Sequence, residues 1–469
     1  MDFKLLQDTI CAIATPVGEA GIGLIRLSGP EAHIMARKIF RPKNPDLNPR
    51  SHTLHYGWIK DPVSGEQVDE VLLTYMTAPE TYTRENIVEI NCHSGYAVLN
   101  RILELVLATG ARLAQPGEFT RRAFLNGRID LSQAEAVIDI IRSSSEQAML
   151  MANRHLRGDF RQLIEKWRET LIQAQTRLEA FIDFSDDLEG EKEQEGPEYE
   201  SLREQLLADV TIPLGTTLSK YEQGRVLREG LTLVLVGKPN VGKSSMLNAL
   251  VGRDRAIVTA APGTTRDVIE DTFVLKGVQV RVLDTAGIRN EPDEIESFGI
   301  ERTIRSVSEA DVVLWLIDHS RSLTDEDRKV YEAIGESHFI VLLNKSDLAP
   351  AFPIETVEQH FPGHRPVFSL SAKTPPDVER LKAFMAETFI MRPLQNCKSQ
   401  IVPNLRHKEC LEQALKALVR TGELLDSNAW GELVSLELEA ARVQLEAVLG
   451  WGNDGELLDR IFNQFCIGK

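Results

Sequence analysis

Residues 237–244 read Gly-Lys-Pro-Asn-Val-Gly-Lys-Ser and follow directly on the apolar run Leu231–Val236. A glycine-rich turn between a buried strand and a helix wraps its backbone N–H groups around phosphates. Within it Asn240, Val241 and Gly242 form the turn, Lys243 reaches the β/γ-phosphates, and the Ser244 hydroxyl, followed by Ser245, is placed to ligate Mg²⁺. Four further elements come in order. Thr264 and Thr265 follow Pro262 and Gly263, where a threonine hydroxyl and carbonyl can close over Mg²⁺ and a γ-phosphate. The strand Val280–Leu283 ends in Asp284, Thr285, Ala286 and Gly287, offering a carboxylate to the Mg²⁺ shell and an N–H to the γ-phosphate. Apolar Phe339–Leu343 ends in Asn344, Lys345, Ser346 and Asp347. A carboxylate there accepts two hydrogen bonds from guanine N1–H and its exocyclic amine, a donor pair adenine lacks. Finally Phe368–Leu370 leads into Ser371, Ala372 and Lys373, whose backbone can meet the guanine carbonyl. Each tetrapeptide alone is weak evidence. All five in order at strand ends specify GTP.

The catalytic water needs a group of its own. Ras-like GTPases carry a glutamine shortly after the Asp-x-x-Gly element, but here Ile288-Arg-Asn-Glu291 follows. Hydrolysis therefore requires another water-orienting group, a partner-supplied group or a metal. Glu291, Asp293, Glu294 and Glu296 lie in the right loop to offer a carboxylate, and Arg289 a cation.

These motifs need elements to hold them, and the chain has room for more than one domain. Its 469 residues suit two to four domains, whereas a GTPase module takes only about 160–170. A net charge of −17 argues against a surface that grips nucleic acid throughout. The five cysteines, 11, 92, 397, 410 and 466, lack CxxC spacing and suit a reducing cytoplasm. With no 18-residue apolar stretch and no secretory signal at the N-terminus, a soluble cytoplasmic protein with no membrane contact is expected.

Residues 1–120 read as mixed α/β, with strands near Thr9–Ala14, Ile22–Leu27, Val68–Tyr75 and Asn86–Cys92, and helices near Pro30–Phe40 and Ala97–Ala108. Residues 133–182 and 199–228 read as long helices, separated by an acidic run whose simplest role is a solvated loop. Helical pattern resumes over Leu405–Thr421, Ala429–Gly450 and Gly455–Phe465. The expected fold is multidomain: an α/β N-terminal domain (1–120), a discontinuous helical domain (121–229 and 391–469) and an inserted α/β P-loop, Ras-like G domain (230–390).

Several stretches resemble the MnmE (TrmE) family of tRNA modification GTPases, among the TrmE-Era-EngA-YihA-Septin-like GTPases, from end to end. They are Asp8–Ile10 to Ala14–Pro16, Gly21–Gly29, Tyr82-Thr through Val88–Ile90, Pro116–Thr120, Arg122–Arg128, Asp130–Ala136 and the tail Cys466-Ile-Gly-Lys469. The resemblance implies an N-terminal domain that binds folate and dimerises. It further implies a homodimer that works with an FAD-dependent partner, MnmG (GidA), to install a carboxymethylaminomethyl or aminomethyl group at C5 of wobble uridine 34 of certain tRNAs. The one-carbon unit would come from a tetrahydrofolate such as the 5,10-methylene or 5-formyl derivative. By resemblance Arg26, Glu89, Arg128 and Lys469 contact the folate, and Cys466 is a candidate nucleophile near the one-carbon unit. Resemblance also assigns K⁺ to Asn240, Thr259, Ala261 and Thr264, includes Ala260 in the nucleotide loop, and makes Glu296 the water-orienting carboxylate. Lys243, Asp284 and Thr265 complete the expected catalytic set.

Two departures and one patch bear on this. Arginine stands at 128 where the family commonly has lysine, and Arg84 stands where it often has glycine. An exposed loop tolerates arginine at 84; a tight turn with positive φ does not. Arg101, Arg112, Arg121, Arg122 and Arg128 form the clearest basic cluster for tRNA phosphates, with a folate site or an interface as the alternative for some of them. An Era- or Der-type ribosome-assembly GTPase would share the G motifs but usually appends a basic RNA-binding domain, and nothing after 390 is notably basic. A purely regulatory GTPase leaves the N-terminal motifs and the tail without a role.

Overall fold

The computed structural model describes residues 8–44, 49–143, 145–186, 195–252, 270–284, 304–335, 337–363, 365–392, 401–452 and 455–469. The chain forms two compact units, one of Met1–Ile141, Ala152–Gly215 and Glu409–Lys469, the other of Arg142–Met151 and Thr216–Lys408. It is a multidomain protein that combines α/β sheets with a helical part.

The first unit holds a seven-stranded sheet of order β3-β4-β5-β6-β2-β1-β7. Its strands are β1 (Ile10–Ile13), β2 (Gly23–Ser28), β3 (Phe40–Pro42), β4 (Thr53–Lys60), β5 (Gln67–Met76), β6 (Ile87–Cys92) and β7 (Arg112–Leu113). Side chains alternate between faces along a strand. Ile25, Leu27, Val71, Leu73, Val88 and Ile90 therefore pack on one face beneath the helices Ala32–Ile39 and Tyr96–Ala108. That alternation turns Arg26 and Glu89 to the opposite face, and the antiparallel register of β2 and β6 sets them directly opposite each other. Strand β4 is missing from the pattern read in the sequence. Its inward positions include His55 and Gly57, which carry no apolar signal although His55 is buried against Tyr75.

The helical stretch expected over 133–182 is three helices, Leu131–Arg142, Glu146–Arg157 and Asp159–Asp186. Gly158, at φ +91°, ends the second. The last packs along Gly431–Leu449. Phe160, Ile164, Trp167, Leu171, Ala174 and Leu178 face Val434, Leu438, Ala441, Leu445 and Val448, all buried at alternating spacings of four and three. That is the a/d seam of a coiled coil, and Arg168–Glu446 at 2.6 Å flanks it.

The second unit holds a six-stranded sheet of order β13-β12-β11-β8-β10-β9. These are β8 (Leu231–Val236), β9 (Glu270–Leu275), β10 (Val278–Asp284), β11 (Val312–Asp318), β12 (Phe339–Asn344) and β13 (Val367–Ser369). All pairings are parallel except β9 with β10. β8, β11 and β12 are buried at every position, as sheets covered on both faces require. Five parallel strands thus deliver their C-terminal ends, and the residues that follow them, to one edge.

Four members of the expected basic cluster are already neutralised. Arg122, 2 % exposed, lies 3.0 Å from Glu118 and 3.2 Å from Glu85, and its Nη2 donates to Asp8 at 2.5 Å. Arg112 binds Glu118 and Asp8, Arg101 binds Asp61 at 2.7 Å, and Arg121 binds Asp459 at 2.7 Å. The cluster is an ion-pair network rather than an open phosphate surface, because a run of arginines does not report the carboxylates the fold folds against them.

Burial acts to raise the Asp8 and Glu118 carboxyls, but hydrogen bonds from Arg112, with the Arg122 charge, outweigh it and hold both below their ordinary values. Depressed carboxyls contribute stability that is fully present above about pH 4.5 and fades as pH falls through the lowered values. Arg122→Met should therefore destabilise the chain by about 3–5 kcal/mol near neutrality, since it strands buried charge. In urea unfolding, its gap from wild type should narrow below about pH 4; a gap independent of pH would contradict the role given to this network.

Candidate functional site

At the C-terminal edge of the second sheet, β8 runs into the loop 237–242 and the helix Lys243–Val251. Gly237 has φ +149°, and a Cβ there would stand 2.5 Å from the Leu316 carbonyl oxygen. Gly242 has φ +100°, and its Cβ would strike the side-chain amide of Asn344. Only glycine fits at either point. Asn240 also takes positive φ, +64°, which asparagine tolerates better than most residues. Lys243 folds back over the loop, donating from Nζ to the carbonyls of Gly237 (2.6 Å) and Lys238 (3.0 Å). Ser244 and Ser245 are exposed on the first helical turn.

The loops after β12 and β13 close on this turn. Buried Asn344 donates from Nδ2 to the Val241 carbonyl at 2.7 Å and accepts at Oδ1 from the Ala372 N–H at 3.1 Å. One side chain thus ties three expected motifs together. Lys345 donates to the Asn240 carbonyl (3.0 Å) and to Asp318 (2.7 Å). Asp347 is exposed, with Oδ1 accepting from the Ser371 hydroxyl at 2.7 Å. That hydrogen bond, above all, holds the Asp347 carboxyl below the usual aspartate range, helped by the charges of Lys373 and Lys345. Ser371 is itself buried and fixed through its N–H to Asp377 at 3.1 Å. The arrangement presents an ionised carboxylate beside a glycine-shaped turn and a lysine.

Asp318 was missed from the sequence. It ends β11 as Asn344 ends the neighbouring β12, and the two are in register. Burial acts to raise its carboxyl, but bonds from Lys345 and Ser320 hold it low. A polar residue closing a wholly apolar strand was the available signal.

Asp284 closes β10 opposite Leu235, so its backbone belongs to the same edge. Its side chain lies outside the described residues. So do Thr259, Ala260, Ala261, Pro262, Gly263, Thr264, Thr265, Thr285, Ala286, Gly287 and Glu296. Among the described residues no group of His, Cys, Asp and Glu is suited to a metal ion, and no helix is long and apolar enough to cross a membrane.

A second constellation lies in the first unit. Arg26 pairs with Glu89, Nε–Oε1 2.8 Å and Nη2–Oε1 2.7 Å, and its Nη1 donates to the Gly468 carbonyl at 3.2 Å. The tail is seated by its backbone: Phe119 N–H donates to the Lys469 carbonyl at 3.2 Å. Gly468 has φ +93°, and a Cβ there would come within 2.6 Å of the Ile13 carbonyl oxygen. Burial, with the Arg26 charge, holds the half-buried Lys469 amine below its ordinary value against the opposing pull of Glu89 and Cys466. Arg26, Glu89, Lys469 and Cys466 thus come together, with Cys466 exposed. Arg128 is exposed and lies over the Tyr82 ring at 4.8 Å, whose hydroxyl meets Thr120 Oγ1 at 3.0 Å. The constellation places one carboxylate among cationic side chains, the chemistry that accepts paired N–H donors and meets anions.

Arg84 corrects an expectation. It sits at φ +60° in the turn closed by Thr81 and Glu85, a conformation thought to exclude arginine there. Its guanidinium donates to the Asn126 carbonyl at 3.0 Å and offsets part of that strain.

The chain matches known proteins along its length. A family model for the MnmE helical domain matches residues 131–466, and one for the GTP-binding protein TrmE N-terminus matches residues 9–128. The chain is 56 % identical to the tRNA modification GTPase MnmE of Syntrophobacter fumaroxidans over the whole of both chains. It is 43 % identical to that of Carboxydothermus hydrogenoformans and 44 % to that of Moorella thermoacetica, each over 99 % of this chain and all of the relative.

Replacing Ser371 by alanine removes the main influence that lowers the Asp347 carboxyl. A carboxyl NMR titration should find Asp347 moved up toward the ordinary aspartate value in Ser371→Ala. An unchanged titration would mean that the Ser371 hydroxyl does not act on it.

Proposed function

The chain belongs to the family of tRNA modification GTPases MnmE, and on that premise we propose that it is a GTP hydrolase that modifies tRNA. In this reading it acts in the cytoplasm as a homodimer with an FAD-dependent MnmG (GidA) partner. Together they install a carboxymethylaminomethyl or aminomethyl group at C5 of wobble uridine 34, with a tetrahydrofolate supplying the one-carbon unit. The observation that carries the reading is the Asn344 amide, which joins the phosphate loop to the loop of Ser371 and Ala372 beside an ionised Asp347.

Lys243 and the N–H groups of 240–245 hold the phosphates, Asp347 selects guanine, and Ser371, Ala372 and Lys373 line its carbonyl side. The glycine-shaped turn and the exposed Ser244 fit a phosphate-bound Mg²⁺, with Thr265 and Asp284 completing its shell. Asn240, Thr259, Ala261 and Thr264 would hold K⁺, which would supply the positive charge that an arginine finger brings elsewhere. Glu296 orients the water. Thr285, Ala286, Gly287 and the 259–265 loop enclose the γ-phosphate. Glu89 and Arg26 orient the folate ring, Arg128 and Lys469 meet its anionic part, and Cys466 stands beside the one-carbon unit. The working parts are an N-terminal domain (1–120), a split helical domain (121–229, 391–469) and a G domain (230–390). Because Arg101, Arg112, Arg121 and Arg122 are ion-paired, the FAD-dependent partner provides much of the tRNA grip.

GTP hydrolysis measured in K⁺ and in Na⁺ at equal ionic strength tests the proposal. K⁺ should stimulate turnover roughly tenfold or more, and Asn240→Ala should abolish the difference. Equal rates in both salts would require the water and charge roles to be reassigned to a partner-supplied group.

A further inference from the structure

Lys238, the second residue of the 237–244 loop, reaches across to the start of the helix Asp325–Ile334. Its Nζ donates to Asp327 Oδ2 at 2.7 Å and to Thr324 Oγ1 at 3.2 Å. Asp327 is fully buried in the first turn of the helix Asp325–Ile334. The same Oδ2 accepts from the Thr324 N–H at 2.9 Å and from its hydroxyl at 3.0 Å, closing that helix's capping box. Oδ1 is buried with no hydrogen-bond partner among the described residues. Among those residues Lys238 is the one cation paired with this carboxylate.

A capping box needs only Thr324 and a side-chain acceptor; it does not need a lysine from a loop 86 residues earlier. A buried carboxylate, in contrast, is strongly destabilising without its counter-ion, so the position of the Lys238 side chain is dictated by Asp327. Its backbone follows. The Lys238 carbonyl is one of the two that hold the Lys243 ammonium, at 3.0 Å. A continuous chain therefore runs from the start of the helix through Asp327 and Lys238 to the phosphate lysine.

We propose that Lys238 and Asp327 form a strut that sets the phosphate loop, and that both are positioning residues for nucleotide binding although neither touches the nucleotide. This rests on reading the loop as a guanine-nucleotide site. The strut acts through the loop's backbone, so it bears on GDP and GTP alike. A charge-assisted hydrogen bond to a phosphate is worth about tenfold or more in affinity, so donors displaced by loss of the strut give a measurable weakening.

The test is calorimetric titration of GDP into the full-length wild type, K238R, K238M, D327N and the double variant K238M/D327N, with thermal unfolding of each. K238M and D327N should each weaken GDP by about tenfold or more, K238R should stay within about threefold of wild type, and the double variant should be no weaker than the worse single. Near-wild-type affinity in K238M and D327N, with only a lowered unfolding temperature, would overturn the strut and leave a helix cap. Losses that multiply in the double variant would also overturn it. Should K238M fail to fold, D327N and K238R carry the same comparison, since Asn keeps an acceptor for Thr324 and drops only the charge. A wild-type chain that does not bind GDP would instead show, before any variant is compared, that the guanine-nucleotide reading fails, and the strut with it.

Discussion

The nucleotide-type site is organised by one buried amide. Asn344 ends a strand with no exposed position, so both ends of its side chain need partners inside the protein. It finds one in the Val241 carbonyl and the other in the Ala372 N–H. Much follows from that demand. Gly242 must be glycine because the amide occupies the space a Cβ would fill. The loop carrying Ser371 is drawn in beside Asp347, and the Ser371 hydroxyl holds that carboxyl below the usual aspartate range. The turn of 237–242 and the loop beside Asp347 are therefore held by one and the same side chain.

Both constellations use the same device: a carbonyl presented by a residue with positive φ, then held by a cation. Gly237 offers its oxygen to Lys243, Asn240 to Lys345, and Gly468 to Arg26. Glycine takes such a conformation without a Cβ clash, and at Asn240 the charge-assisted hydrogen bond from Lys345 offsets the strain. In each unit this orders a short segment without a helix or strand to support it. Lys469 is seated through the tail's backbone, and burial with the Arg26 charge holds its amine below the ordinary lysine value.

The legible parts of the sequence were those where one residue type forces one local outcome. A six-residue run of five apolar side chains and one threonine, followed by glycine, gave β8 and its loop, because a buried strand must end where a backbone-permissive turn begins. β4 was not legible, since a histidine and a glycine occupy inward positions and erase the alternation. Gly158 cut a helix that composition alone would have run on. Asp318 was missed although it closes an apolar strand as Asn344 does. The arginine cluster was misread for a different reason: local sequence records charge, but not that Glu85 and Asp8 fold back onto Arg122. Arg26 and Glu89 are 63 residues apart and meet only through the register of β2 and β6. The resemblance implied that both belong to one folate site, but their pairing with each other was not read from any local pattern.

The most direct test of the Asn344 constraint is the GDP affinity of Asn344→Ala in the full-length protein. Two buried hydrogen bonds would be lost, each worth about 1–3 kcal/mol when its partner is left unsatisfied. The account predicts that GDP binding weakens by roughly a hundredfold or more, while the seven-stranded sheet of the other unit stays folded. An affinity within about threefold of wild type would contradict it, and would mean that the phosphate and base loops hold their places without the amide between them.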